Sequence, residues 1–346
     1  MSETKQSEEQ FSIENISEPD NIEEVIFSLM VNPNLSSINY FNDFNEMSIS
    51  PDQIGDDDTE EMGMVDLCSD GSKMAMSTHA FHHHLEKDPQ KATEILIARA
   101  VRKMLCFGIA PSVISAFLYH INVADPNGQF IASGAKKGME NAATKFKLKI
   151  SDKKIRFDHF SEHGPVPPTI IISMMGQLPP ATELTTHSFK RKGNHIFMLG
   201  RMIDDISSSE YLEFYHGISE SPLPAFNMAD EIRLQQCIRQ LNAGKLIESA
   251  SPVGKGGLFF TLLRAAIPNA LGFDITTSAE TRIDSFLFGE AMGRIMVGVH
   301  PDKEDEFVDA MSDMKIPFFT LGHVTKGEVR IDDESYGYID KMTGGV

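Results

Sequence analysis

Ile247-Glu248-Ser249-Ala250-Ser251-Pro252-Val253-Gly254-Lys255-Gly256-Gly257-Leu258-Phe259-Phe260-Thr261-Leu262-Leu263-Arg264-Ala265-Ala266 reads as three pieces in a row. Ile247 to Ala250 is a short strand, Pro252 to Gly257 a loop, and Leu258 to Ala266 an apolar helix. Strand, glycine loop and helix in succession are the building unit of a layered α/β chain. The loop also carries chemistry. Glycines let a backbone approach a phosphate, and the start of a helix favours an anion. Gly254, Lys255, Gly256 and Gly257 are therefore a candidate phosphate loop, with Lys255 adding a point charge. The spacing is not that of a Walker loop, and a tight strand-to-helix turn explains the same glycines equally well.

The same alternation continues in both directions. Toward the C-terminus, Phe273 to Thr276, Arg294 to Val299 and Phe318 to Val324 read as strands, with Asp302 to Met314 a helix between the last two. Toward the N-terminus, a helix from Ala229 ends at Gly244, and His195 to Leu199 is a strand. Asp204-Asp205-Ile206-Ser207-Ser208-Ser209-Glu210 follows that strand. Its carboxylates and hydroxyls suit Mg²⁺ and nucleotide, but its serines suit a helix cap better on residue type alone. Pro179-Pro180 breaks the chain, and two units are expected to meet near Met175–Lys192. The earlier unit has strands at Met64–Cys68, Lys73–Ser77, Ser112–Asn122 and Thr169–Met175. It has helices at Gln90–Phe107, behind Asp88-Pro89, and at Ala132–Phe146, which carries small residues on one face. The fold class is α/β, in an α+β layered form. The divisions are 1–62, an acidic extension with residues 1–20 disordered; 63–180; 181–330; and a tail, 331–346.

Charge narrows the function classes. The chain has 346 residues and a formal charge of −19. Residues 1–62 hold sixteen acidic side chains against the single basic Lys5, so the extension carries −15 and the other 284 residues only −4. Without a basic surface, nucleic acid is not the expected partner. No apolar run reaches the length of a membrane helix. The N-terminus lacks the zones of a signal peptide. Cys68, Cys106 and Cys237 are scattered and odd in number, which points to a reducing, cytoplasmic setting. Within the extension, Ile22 to Met30 shows one apolar helical face. His79, His82, His83 and His84 invite a metal reading, but no second ligand set follows at a recognisable spacing. No nucleophile–base arrangement is defensible, and Cys106 lies inside a helix as a packed thiol.

The ordered set of short motifs resembles the aminoimidazole ribonucleotide synthetase superfamily, in particular one repeat of phosphoribosylformylglycinamidine synthase, the second of two. Leu29-Met30-Val31-Asn32-Pro33-Asn34-Leu35-Ser36-Ser37 is similar to the segment joining the repeats. Ser69-Asp70-Gly71, Gly108-Ile109-Ala110-Pro111 and Asn122-Val123-Ala124-Asp125-Pro126 resemble elements of the first domain. Ser208-Ser209-Glu210-Tyr211-Leu212, Leu287-Phe288-Gly289-Glu290 with Gly293-Arg294, and Leu321-Gly322-His323-Val324 resemble elements of the second. The likeness spans about 25–330. It departs from the family at Lys255, where an acid is usual, and at Ser207-Ser208, where glycines are usual.

The resemblance implies a two-domain single repeat of the synthetase-like fold. It implies a part in purine biosynthesis, as an ATP-dependent ligase that amidates formylglycinamide ribonucleotide. It implies ATP or ADP with Mg²⁺, and a homodimer or heterodimer built through first-domain strands, with a separate glutaminase or synthase subunit as a further partner. Candidate nucleotide residues are Gly254, Lys255, Gly256, Gly257, Ser209, Glu210 and Asp204, and Asp70 is a candidate metal ligand. The other reading is a degenerate, non-catalytic relative that binds nucleotide or a partner subunit.

Overall fold

The structure, a computed structural model, describes residues 11–35, 63–66, 72–81, 84–122, 124–157, 160–162, 164–180 and 183–343. The first layer is a five-stranded sheet. Its strands are β1 (Gly63–Asp66), β2 (Lys73–Phe81), β3 (Pro111–Tyr119), β4 (Lys149–Ile155) and, after a two-residue ladder of β5 (Phe160–Ser161) and β6 (Gly164–Pro165), β7 (Thr169–Leu178). The order is β1-β2-β7-β3-β4, antiparallel except for the β3–β4 pair. Two helices, Pro89–Cys106 and Pro126–Phe146, cover one face. The first begins close to where its sequence predicts, whereas the second begins at Pro126, ahead of the expected Ala132. Asp88 accepts a hydrogen bond from Lys91 N at 3.0 Å, Asp125 accepts one from Asn127 N at 3.2 Å, and a proline follows each cap. The small face of the second helix is required by contact. A Cβ on Gly138 would lie 2.4 Å from Gln90 O, so the helices approach at backbone distance.

The inward side chains of this sheet, among them Ala75, Ile114, Ala116, Ile170, Ile172 and Met174, are buried under the helices. On the other face the register lines up Met76, Met175 and Val113 in one row. Ala80, Ile171 and Phe117 form another. Between them Thr78 Oγ1 meets Ser173 Oγ at 3.1 Å, and Ser115 Oγ meets Ser151 Oγ at 2.8 Å.

The second layer is a seven-stranded sheet of β8 (His195–Gly200), β9 (Ser249–Pro252), β10 (Gly272–Ile275), β11 (Arg294–Val299), β12 (Phe318–Thr325), β13 (Glu328–Ile331) and β14 (Glu334–Tyr338). The order is β14-β13-β10-β12-β8-β11-β9. Strand β8 is buried on both sides and alternates between two cores. Phe197 and Leu199 pack with the helices Met228–Ala243 and Glu304–Met314. Ile196 and Met198 pack with the helix Gly257–Ala266. The first of these cores is continuous with the interior of the five-stranded sheet, so the layers are joined by apolar packing.

Several expectations need correction. Residues 11–20 are not disordered. Ile13–Asn15 is a 3₁₀ turn, Ile16 is buried, and Arg282 Nη1 donates to Ile13 O at 2.7 Å and to Ile16 O at 2.8 Å. The helix Ile22–Met30 buries Ile22, Val25, Ile26 and Leu29 against the second core. Residues 11–35 therefore form a strap on the second layer. The tail is structured as far as Thr343, where β14 and the helix Ile339–Thr343 close the sheet edge and bury Ile339 and Met342. Strand β4 escaped the sequence reading because an edge strand rich in lysine does not look apolar. Asp70, His82, His83 and Cys68 lie outside the described residues.

Candidate functional site

The β9 strand delivers the loop Gly254–Gly257 to the start of the helix Gly257–Ala266. Gly256 has φ +77° and Gly257 φ +72°. A Cβ on Gly257 would lie 2.6 Å from Leu287 O and Phe288 Cα, so this residue has to be glycine for packing as well as for conformation. Gly257 N donates to Gly254 O at 2.9 Å, closing the turn. Gly256 N donates to Glu290 Oε1 at 2.9 Å, and Glu210 N donates to the same oxygen at 2.9 Å. One buried carboxylate thus ties the glycine loop to the Ser208–Glu210 loop. Burial raises the Glu290 carboxyl above its ordinary range, against the two amides and the Arg99 guanidinium, which pull it down.

Above Glu290 lies Glu210, whose side chain is 11% exposed. Lys255 Nζ stands 3.4 Å from Glu210 Oε1. Asn32 Nδ2 donates to Glu210 Oε2 at 2.9 Å and Asn34 Nδ2 to the same oxygen at 3.1 Å. The Asn32 amide is oriented by its own Oδ1, which accepts Asn34 N at 2.9 Å. The strap therefore reaches the site directly.

The structure brings Glu210, Lys255 and the glycines together. Ser209 is close in sequence but serves the fold. It is buried, its Oγ donates to Ile206 O at 2.6 Å, and it accepts Leu212 N at 3.1 Å, a cap on the π-helical turn Tyr211–Tyr215. Asp204 is exposed. Its neighbour Asp205 is committed to backbone, accepting Ser207 N at 2.8 Å and Ala225 N at 2.9 Å. Ser208 has φ +56°, which explains why glycines suit this place. Its Oγ lies 2.7 Å from His84 Nε2, so the one described member of the 82–84 histidine run bridges the two layers.

A phosphate cradle fits this loop poorly, because the Gly256 and Gly257 amides already have partners inside the protein. An anion here would meet the Lys255 ammonium, which is 59% exposed. Mg²⁺ fits less well still. It demands oxygen ligands in octahedral array, and the side-chain partners of the Glu210 carboxylate oxygens are an ammonium and two amide N–H donors. Among the described residues no group of three or more His, Cys, Asp or Glu side chains is arranged to hold a metal ion. Sequence reasoning missed Glu290, Asn32 and Asn34 as site residues. Their motifs were visible, but the roles depend on contacts between residues up to 178 positions apart.

Residues 191–333 match the family model for the AIR synthase related protein, C-terminal domain. Phosphoribosylformylglycinamidine synthase subunit PurL of Alkaliphilus metalliredigens is 24% identical over 345 residues, covering 97% of this chain and 46% of the relative. The PurL subunit of Moorella thermoacetica is 25% identical over 314 residues, covering 90% and 43%. The chain is thus similar to PurL along most of its length, and its second layer matches the AIR synthase related C-terminal domain. It spans about half the length of the curated relatives it matches. The fold agrees. PurL of T. maritima, solved in complex with FGAR, superposes with a TM-score of 0.74 at 15% identity, over 94% of this chain and 54% of that one. The same T. maritima protein complexed with ATP gives a TM-score of 0.65 at 14% identity, over 82% and 46%. Among the described residues no helix is long and apolar enough to cross a membrane.

Proposed function

We propose that this chain is one repeat of a phosphoribosylformylglycinamidine synthase and takes part in the ATP-dependent amidation of formylglycinamide ribonucleotide in purine biosynthesis. The observation that supports it best is the extent of the likeness to PurL, which runs through the strap, both sheets and the loops at Glu210 and Lys255. The reaction replaces an amide oxygen by the nitrogen of ammonia, and ATP supplies the driving force. This chain's residues would act by binding. Lys255 meets a phosphate oxygen as a point charge. Glu290 keeps the two loops in register, and the Asn32 and Asn34 amides hold Glu210 still.

The assembly belongs to the same reading. The rows Met76–Met175–Val113 and Ala80–Ile171–Phe117 form apolar strips of a sheet face that no helix among the described residues covers, and Met76 is 43% exposed. Such a face calls for a second repeat, in a homodimer or in a heterodimer with another synthase subunit, and the ammonia would come from a separate glutaminase. A cytoplasmic enzyme is the natural setting for this chemistry. Calorimetry with ATP, ADP and formylglycinamide ribonucleotide, with light scattering on the same sample, tests the proposal. A nucleotide affinity in the micromolar to submillimolar range and a dimer mass are expected. A monomer that binds none of the three at millimolar concentration overturns it.

A further inference from the structure

We propose that Lys255 is the resident cation of this site: its ammonium holds Glu210 where a divalent metal ion would otherwise be needed, so an anion binds there without Mg²⁺.

The argument starts from the lone pairs of Glu210. Oε1 faces Lys255 Nζ at 3.4 Å, and Oε2 accepts the Nδ2 groups of Asn32 and Asn34 at 2.9 and 3.1 Å. The Asn32 amide cannot simply turn over to offer oxygen, because its Oδ1 is engaged by Asn34 N. Among the described residues, the side-chain partners of the Glu210 carboxylate oxygens are all donors. A magnesium ion bound to the Glu210 carboxylate would lie against the Lys255 ammonium and the two amide N–H donors instead of further oxygen ligands.

Charge balance gives the second line. Glu210 and Glu290 repel one another, and burial adds to the strain on Glu290. Two cations oppose this from within the chain. Arg99, on the Pro89–Cys106 helix, acts on Glu290 from below, and Lys255 acts on Glu210 from the solvent side. A point charge with three donors can satisfy Glu210 and still present a proton outward. Lys255 is anchored for this: Arg264 Nη2 donates to its carbonyl oxygen at 2.7 Å, which fixes the backbone beneath the side chain.

The part of this that concerns nucleotide rests on the proposed function, so the test has two independent arms on the full-length chain. In the first, Mn²⁺ is the probe, and its free electron-paramagnetic-resonance signal is titrated against wild type, Glu210→Gln, Lys255→Asp and the Lys255→Asp/Glu210→Gln double variant. The acidic stretch 36–62 is common to all four, so only differences are read. Wild type and Glu210→Gln are expected to bind Mn²⁺ alike, and Lys255→Asp to gain at least tenfold in affinity, lost again in the double variant. A wild-type Mn²⁺ site abolished by Glu210→Gln, or no gain in Lys255→Asp, overturns the proposal. In the second arm, ADP is titrated calorimetrically with Mg²⁺ or with EDTA. Wild type should bind equally within twofold in both, and Lys255→Ala at least tenfold more weakly in both. A tenfold loss of wild-type binding in EDTA overturns the proposal. If wild type binds no ADP at all, the nucleotide reading fails, and the Mn²⁺ arm alone decides the role of Lys255. Lys255→Met, which keeps the length of the stem, is the control for folding, and its melting temperature should match wild type.

Discussion

Arg102 Nη1 and Glu231 Oε2 meet at 2.6 Å, and both side chains are 1% exposed. The pair joins the Pro89–Cys106 helix of the first layer to the Met228–Ala243 helix of the second. Gln235 Nε2 bridges it, reaching Glu231 Oε1 at 2.9 Å and Ala98 O at 3.3 Å. Removing one partner leaves the other charge buried, which costs about 3–5 kcal/mol. Glu231→Ala is expected to lower the urea midpoint by a corresponding amount, while Arg102→Met/Glu231→Leu recovers most of the loss. Equal damage from the single and the double change would show that packing, and not charge, holds this junction.

Glu290 predicts a pH dependence. Its folded pKa is raised above 4.5, mainly by burial. A raised carboxyl holds its proton more tightly in the folded chain than in the unfolded one. Its contribution is fully present below the unfolded value and is lost as pH rises through the folded one. The stability of wild type minus that of Glu290→Gln should therefore fall as pH rises from about 4.5. Chemical denaturation in steps of half a pH unit checks this, and a difference that grows with pH would refute it.

The strap is open to a direct test. Leu29 is fully buried in the second core. Truncating a buried leucine costs about 2–5 kcal/mol. Leu29→Ala should shift the denaturation midpoint accordingly, whereas Phe27→Ala, at a position 52% exposed, should change it little. If both behave alike, the strap does not pack as described.

The thiols give a chemical check. Burial pushes Cys106 up to about 12 and Cys237 up to about 12, and both are free. At pH 8 neither carries appreciable thiolate, and neither is accessible. Peptide mapping after treatment with a thiol reagent should find both unlabelled in native protein and both labelled in denaturant. Native labelling of Cys106 would mean that the layers open readily.

Much of the fold was legible because local signals agreed with the tertiary structure. Asp88-Pro89 opened a helix, Gly244 closed one, and β8 and β11 announced themselves as continuous apolar runs. What failed was polar on its surface or decided at a distance. The lysines of β4 hid an edge strand. The short helix Ile283–Phe288 was too brief to show a period. In the site, Lys255 and Glu210 could be named from sequence, but not that they face one another. The glycines looked like a phosphate cradle, and only the contacts of Gly256 and Gly257 show two amides already engaged within the protein.

The strap has a consequence for how the polypeptide is made. Residues 11–35 leave the ribosome well before the chain as late as Ile331 that builds much of the core sheltering Ile22, Val25, Ile26 and Leu29. At about 5–20 residues per second, roughly 15–60 s of synthesis separate the two. During that interval the amphipathic helix Ile22–Met30 has its greasy side bare. Translation speed and chaperone supply should therefore govern the yield of this protein more than the strength of its finished contacts.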